Sequence, residues 1–264
     1  MSITFCMVPF PNDPDLEIKS VAEHFAETWP DFGQVSDIEI CDNTGSFKVG
    51  ELNVTLGDIN GPIPWSDLEG PCATSILWKN AEAELKLHQS HTIVTVYGEL
   101  EAIPLSAFLT RVTTSVLATS GTALGVFWGN AALLIPKPIF VEFAMKILRE
   151  GAPLYIWVDF RVGYDGESTS SGFTQGMEAL GHMELEAVKV PETVPDLRER
   201  LFNIADYLVD NGAVIKDGDT IGSEENEKIQ VVFSKSNFGY ENQVMALCHS
   251  QNALKKSWWR RGKK

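Results

Sequence analysis

The order of apolar and polar residues divides the chain into short strands separated by amphipathic helices. β-branched residues dominate positions 91–97, a composition typical of a buried strand. The spacing of apolar residues predicts one helix over residues 104–119 and another over residues 195–211. Each of these helices begins with a proline, which is favoured in the first turn.

A hairpin is predicted in the first half of the chain. Residues 35–41 alternate apolar and polar side chains, and residues 47–56 form a second extended run. The turn-forming sequence Asp42-Asn43-Thr44-Gly45 separates the two runs. Further on, residues 62–71 read as a loop that contains several prolines, and residues 73–87 have the composition of a helix.

The second half predicts a sheet of its own. Residues 154–164 indicate one strand and residues 182–190 another, with a loop rich in Gly, Ser and Thr at 165–172. In the strand at 182–190, Glu184 and Glu186 alternate with apolar residues. Because side chains two positions apart point to the same face of a strand, we expect both carboxylates on a solvated face.

These elements predict an α+β fold, because strands and helices follow one another without regular βαβ alternation. We expect mixed or antiparallel sheets with helices packed on one face. Residues 1–254 are predicted to form a single α+β domain of two closely packed halves, about 1–150 and 151–254. A basic tail, residues 255–264, follows. Residues 102–136 contain no acid and one cation, Arg111, and are expected to lie mostly inside.

Charge narrows the range of partners. The chain of 264 residues has 21 Lys and Arg against 36 Asp and Glu, a net charge of −15. Six of those cations lie in the last ten residues, so residues 1–254 hold 15 cations against 36 acids. Such a surface repels phosphates and attracts basic proteins. We therefore expect a protein partner, possibly a basic one, and no binding of nucleic acid by the main domain.

Sequence motifs for catalysis are absent. The chain has no CxxC, HExxH or GxSxG motif, and its 4 cysteines are too scattered for a disulfide framework. The one close histidine pair, His88 and His91, lacks the third and fourth ligands that zinc requires. We predict no metal, no cofactor and reduced cysteines, and no catalytic residue is assigned.

Several residues remain as candidates for binding. Trp258 and Trp259 alternate with cations in the tail, a composition suited to an acidic protein surface, a membrane surface or nucleic acid. A cleft could instead be lined by aromatic residues and convergent polar groups; these are Trp65, Trp78, Trp128, Phe173, His88, His91, Arg111 and Arg161. Without a signal-peptide pattern or an apolar run long enough to span a membrane, we expect a cytoplasmic protein with no transmembrane segment.

One segment of the second half resembles a known family. The sequence Phe173-Thr-x-Gly176-Met-Glu-x-Leu-Gly181-His-Met-Glu184-Leu-Glu186 precedes the helix at 197–208, and Asp217-Gly-Asp-Thr-Ile-Gly222 and Lys228-Ile-Gln-Val follow. This order is similar to the bacterial family catalogued as domain of unknown function 4261, over roughly residues 150–235. The resemblance implies an α+β fold and a bacterial origin, but no activity. We expect Gly176 and Gly181 to adopt positive φ angles or to pack closely.

Two functional hypotheses follow from the residues. The first is a non-enzymatic protein-binding module, with an immunity-type inhibitor of a basic toxin as its concrete form. The alternative is a hydrolase or small-molecule-binding enzyme with a cleft between the two halves. A homodimer is compatible with either hypothesis.

Overall fold

The computed structural model describes residues 1–222 and 229–249. Within these residues the chain forms seven helices and two mostly antiparallel sheets, with 34% helix and 33% strand. The predicted α+β class is confirmed. The chain divides into two compact units: one holds residues 1–159 and 179–181, and the other holds residues 160–178 and the described residues from 182 onward.

The first unit is built on a seven-stranded sheet with the order β2-β3-β4-β5-β1-β6-β7. Its strands are β1 (Ser2–Phe10), β2 (Val35–Cys41), β3 (Thr44–Val49), β4 (Leu52–Ile59), β5 (Ser90–Gly98), β6 (Gly125–Trp128) and β7 (Leu133–Pro136). Its helices are α1 (Ile18–Thr28), α2 (Trp65–Thr74), α3 (Ala81–Leu85), α4 (Ala102–Thr119), α5 (Lys137–Lys146) and α6 (Leu154–Trp157).

Helix α4 fills the centre of this unit. It lies against β1 and β5, and the Sγ of Cys6 on β1 is 3.2 Å from the Oγ1 of Thr113 on α4. The side chain of Thr113 also donates to the carbonyl of Leu109 at 2.7 Å. The predicted burial of residues 102–136 is confirmed for α4 and for the whole of β6. By length and hydropathy α4 could cross a membrane, but 61% of it is buried within the structure, as in the core helix of a folded domain.

Helices lie on both faces of the sheet in this unit. The inward face of β1, which includes Cys6 and Val8, is covered by α4. On the opposite face, Met7 packs against a cluster formed by α2, α3, β6 and β7; its buried members are Ile63, Leu68, Trp78, Ala81, Leu85, Phe127 and Leu134. This cluster covers only part of that face, since Ile3 and Phe5 are 65% and 42% exposed.

The second unit holds a six-stranded sheet with the order β11-β12-β13-β10-β9-β8. Its strands are β8 (Asp159–Tyr164), β9 (Ser170–Gln175), β10 (Leu185–Val190), β11 (Thr220–Ile221), β12 (Ile229–Lys235) and β13 (Gln243–His249). Strands β10 and β13 pair in parallel. Helix α7 (Val194–Asn211) packs an apolar stripe against β9, and it ends at Gly212, whose φ of 56° gives the left-handed cap.

Some predicted elements have other boundaries. The predicted strand at 154–164 is a short helix followed by a strand, α6 and β8, and the run at 47–56 contains a turn that separates β3 from β4. Residues 62–71 were expected to form a loop, but most of them belong to helix α2. Pro71 lies inside this helix and does not end it. The predicted positive φ angles of Gly176 and Gly181 are confirmed at 118° and 86°.

Candidate binding surface

An open groove in the first unit lies where the start of α1 meets the turn between β2 and β3. Its volume is about 430 Å³. Acidic, amide, hydroxyl and apolar side chains share its walls, together with one lysine; the lining residues are Leu16, Glu17, Ile18, Lys19, Ile40, Asp42, Asn43, Thr44, Gly45, Leu56 and Asp58. We call this the acidic groove, because three of its members are carboxylates and one is a cation.

Local backbone geometry builds the groove. A Cβ on Gly45 would lie 2.8 Å from the Cβ of Ile18, so only glycine lets the hairpin approach α1 this closely. Asp42 has a φ of 49°, a left-handed conformation that Asp and Asn tolerate better than most residues. The N–H of Asp58 donates to the carbonyl of Asn43 at 2.8 Å and fixes the turn to β4.

An exposed isoleucine lies among the acids of the groove. Ile40 is 64% exposed, and Glu17 and Asp42 are exposed beside it. Ile38, further back along β2, is 40% exposed. An apolar side chain within a ring of carboxylates matches the usual arrangement of protein interfaces, with an apolar centre and a polar rim.

Strand β2 is the edge of the seven-stranded sheet, yet its backbone is a poor template for another strand. Its pairing with β3 is irregular between Ser36 and Glu39, where Asp37 adopts a φ of 51°. The Nζ of Lys48 lies 2.8 Å from the carboxylate of Asp37. Bulges and charges of this kind block edge-to-edge pairing. The groove therefore offers side chains, rather than a free strand edge, for recognition.

The sequence predicted the strand but not the exposure of its apolar residues. Ile38 and Ile40 are two positions apart, a spacing that normally indicates a buried face. In the structure α1 lies against both β2 and β3, but β2 is the edge of the sheet; Phe47 on β3 is buried, while Ile40 on β2 is not. The signal that could have identified the groove is the alternation of those isoleucines with Asp37 and Glu39.

His88 lies just before β5 and His91 lies within it. Both side chains bind backbone groups of residues 61–63. The Nε2 of His88 accepts from the N–H of Ile63 at 2.7 Å, and its Nδ1 donates to the carbonyl of Leu85. The Nδ1 of His91 donates to the carbonyl of Gly61 at 2.8 Å. Burial lowers the pKa of His91, which favours the neutral ring. Both histidines thus hold residues 61–63 in place.

The candidate tryptophans of the first unit belong to packing. Trp65 lies against the cluster of α2 and α3, with the Nζ of Lys86 5.0 Å from its ring centre. Trp78 is a buried member of that cluster, and Trp128 is buried against Phe140 at 6.1 Å. Among the described residues, no group of three or more His, Cys, Asp or Glu is placed to hold a metal ion.

The two candidate arginines lie on aromatic rings. The guanidinium of Arg111 is 4.8 Å from the ring centre of Phe32 and 5.2 Å from that of Trp29. In the second unit, Arg161 lies 5.9 Å from the ring centre of Phe173. Trp258 and Trp259 lie outside the described residues.

The expectation that Glu184 and Glu186 face solvent is wrong. Both side chains are buried, at 2% and 0% exposure, because β10 lies inside its sheet and both of its faces are covered at this point. The carboxylate of Glu184 accepts from the Oγ1 of Thr174 and the N–H of Gly176, both at 2.7 Å. It also accepts from the N–H of Glu178 at 3.2 Å. Burial raises the pKa of Glu184, and these donors act against the rise.

Glu186 holds the loop between β12 and β13, residues 236–242. Its carboxylate accepts from the hydroxyl of Ser236 and from the backbone N–H of Asn237 at 2.9 Å. The same loop is fixed by Phe238, whose ring lies 4.6 Å from that of Phe173. The hydroxyl of Tyr240 donates to the carbonyl of Thr174 at 2.9 Å. The two glutamates are therefore the buried acceptors of a structural network.

A second groove, of about 660 Å³, lies in the second unit between α7 and a wall that includes Ile215, residues 220–222 and Ile229. Its walls include Arg200, whose Nε donates to the carboxylate of Glu192 at 2.9 Å.

By its fold the chain is an α+β protein with an acid-lined groove in one unit and a buried carboxylate network in the other. Residues 173–248 match the model of a family described as a domain of unknown function (DUF4261). The resemblance inferred from the sequence is thus confirmed over this segment, which contains Glu184, Glu186 and the 236–242 loop. No curated protein and no solved structure matches the chain.

Proposed function

We propose that this chain is a non-enzymatic protein-binding module that recognises a basic partner through the acidic groove. The observation that carries the proposal is the exposed Ile40 in the same groove as the exposed carboxylates of Glu17 and Asp42. Apolar contact at the centre would supply affinity, and the surrounding carboxylates would select a cationic face. The concrete form we propose is an immunity-type inhibitor that covers a basic toxin in the cytoplasm.

The charge of the whole chain supports the same partner. Residues 1–101 contain 17 acids and four lysines, and the groove lies within that segment. The resulting negative field accelerates the encounter with a cationic protein and disfavours nucleic acid. A stable complex requires roughly 1,000 Å² or more of buried surface. The partner must therefore extend from the groove onto the neighbouring exposed residues of β2, such as Ile38 and Glu39.

The chain contains its own reporters for this binding. Cys41 is exposed on β2, next to Asp42, whereas Cys248 is exposed on β13 in the second unit. Cys6 is buried, and burial raises the pKa of its thiol to about 12, so it does not react in the folded protein. Cys72 in the first unit is only partly buried, so the modified cysteines are identified by peptide mass spectrometry. A maleimide added to the native protein then reports on Cys41 in the first unit and on Cys248 in the second.

The experiment begins with capture of a partner from lysate and ends with the purified pair. We expect a basic partner that slows modification of Cys41 while leaving that of Cys248 unchanged. Association should slow as salt rises, because exposed charges are screened. Protection of Cys248 alone, association insensitive to salt, or a partner without basic character would overturn the proposal. Turnover of a small molecule by the purified chain would instead favour the enzyme hypothesis.

A matched pair of variants tests the groove itself. Glu17→Gln with Asp42→Asn removes two carboxylates from the groove, and asparagine retains the left-handed backbone at position 42. Glu23→Gln with Glu51→Gln removes two exposed carboxylates outside the groove. We expect the first variant to slow association about tenfold at low salt, because charges near the contact dominate electrostatic steering. Equal effects of the two variants would show that only the total charge matters.

A further inference from the structure

Residues 102–149, which supply two arginines to the surroundings of Trp29, have more cations than acids, in contrast to residues 1–101. Residues 102–149 contain one acid, Glu142, and four cations: Arg111, Lys137, Lys146 and Arg149. The acid and Lys146 form an ion pair of 2.7 Å, and Lys137 donates to the carbonyl of Ser120 at 2.6 Å. The two arginines remain, and both lie on the same tryptophan ring.

Trp29 ends helix α1 and is 6% exposed. The guanidinium carbon of Arg111 lies 5.2 Å from its ring centre, and that of Arg149 lies 5.5 Å from it. The two guanidinium groups are therefore no farther apart than the sum of these distances. The guanidinium carbon of Arg111 also lies 4.8 Å from the ring centre of Phe32. The ring of Phe32 is in turn stacked on that of Phe108, with 5.1 Å between the ring centres.

Neither arginine has a carboxylate partner in the described part of the chain. The one hydrogen bond of Arg111 there is from Nη1 to the carbonyl of Ala107, 3.0 Å away on its own helix. Stacking occupies the face of a guanidinium and leaves the N–H donors in its plane available. The indole Nε1 of Trp29 is buried and has no acceptor among the described residues.

Arg111 loses part of its hydration without gaining a carboxylate partner among the residues that the structure describes, a cost that a bound anion would offset. Burial lowers the pKa of Arg111, which measures the cost of removing its charge from water. A phosphate group offers oxygens in the planar, two-pronged arrangement that a guanidinium recognises. Since each guanidinium carbon lies within 5.5 Å of the Trp29 ring centre, two linked phosphates can contact one arginine each.

We infer that Arg111 and Arg149, held on Trp29, form a binding site for a phosphate group. The site is separate from the acidic groove, whose walls contain none of these three residues. The ligand is a small molecule that carries one or two phosphates, or free phosphate itself. The site joins α4 to the turn that follows α5, because Arg149 lies beyond the end of that helix.

Calorimetry of the full chain at low ionic strength tests this inference, with inorganic phosphate, pyrophosphate and acetate as probes. We expect saturable binding of one phosphate probe per chain, with tighter binding of pyrophosphate if each arginine holds one phosphate. Arg149→Gln should weaken binding about tenfold or more, because a charge-assisted pair of hydrogen bonds is lost. Lys146→Gln, which removes the same charge three residues earlier, should change the affinity less than about twofold.

A second variant and a second signal exclude a fold defect. Arg111→Lys keeps the charge but loses the planar fork, so it should weaken phosphate binding without abolishing the folded state. The indole N–H signal of Trp29, assigned by Trp29→Phe, should shift on addition of phosphate more than the other indole signals. Absence of saturation by either phosphate probe at about 10 mM would overturn the inference. Equal losses in Arg149→Gln and Lys146→Gln, or equal affinity for acetate, would also overturn it.

Discussion

Carboxylates serve opposite purposes in the two units. In the acidic groove of the first unit, Glu17 and Asp42 are exposed beside an exposed isoleucine. In the second unit, Glu184 and Glu186 are buried, and each accepts hydrogen bonds from backbone N–H groups of a neighbouring loop. The same residue type is exposed to solvent in one unit and is a buried internal acceptor in the other. The number of acidic residues in a sequence therefore does not show how many of them lie on the surface.

The largest effect is expected from loss of a buried acceptor. Glu186→Ala leaves the hydroxyl of Ser236 and the N–H of Asn237 without their acceptor inside the protein. Such losses cost about 1–3 kcal/mol for each orphaned group, so unfolding in urea should show a decrease of about 3 kcal/mol. Glu241→Ala, at an exposed position of the same 236–242 loop, is the control and should change the free energy of unfolding by less than about 0.5 kcal/mol.

A smaller effect, which depends on pH, is expected at Glu184. Burial raises its pKa in the folded protein above the unfolded value, so the folded state holds the proton more tightly. The stabilisation linked to this proton is complete below the unfolded pKa and is lost as pH rises through the folded pKa. Each unit of the pKa difference corresponds to about 1.4 kcal/mol.

Urea titrations between acid and neutral pH compare wild type with Glu184→Gln. The amide does not titrate, so the variant should gain stability relative to wild type as pH rises from the unfolded pKa of glutamate. Glu241→Gln should follow the wild-type pH profile. Parallel profiles for wild type and Glu184→Gln would mean that the pKa of Glu184 is not raised, and the comparison between buried and exposed carboxylates would lose its electrostatic basis.

The smallest effect on stability is expected in the acidic groove. Glu17→Gln with Asp42→Asn should change the free energy of unfolding by less than about 0.5 kcal/mol, because both carboxylates are exposed. Circular dichroism during thermal unfolding provides the measurement. A loss as large as that of Glu186→Ala would show that the groove is a structural element of the first unit. The contrast with the second unit would then disappear.

Sequence patterns predicted the helices and strands better than they predicted which side chains are buried. Local signals were sufficient for α7, where an apolar stripe ends at Gly212, and for β5, where β-branched residues dominate. Glu186 was misplaced because alternation along a strand does not reveal that a distant loop will cover its second face. The exposure of Ile40 was not predicted, since its position at a sheet edge depends on strand order.

The contacts of the candidate arginine and histidine residues were the least predictable features. Arg111 was identified because it is the one cation in a long segment without acids, but Trp29 and Arg149 come from segments far from it in sequence. His88 and His91 were noted as a pair close in sequence, but their backbone partners at residues 61–63 could not be read from their spacing. Contacts between distant segments decide such roles, and a single sequence does not encode them in any local pattern.

The position of β1 affects how the chain is made. β1 comes first in synthesis but lies between β5 and β6 in the sheet, with Ser2 paired to Gly98 and Met7 to Phe127. At usual elongation rates, β5 leaves the ribosome roughly 5–20 s after β1. During that interval the strand, with its apolar face, has neither neighbour. The meander of β2, β3 and β4 can form first, but β1 has no place in the sheet until β5 has paired with β4, so the apolar face of β1 stays uncovered until then.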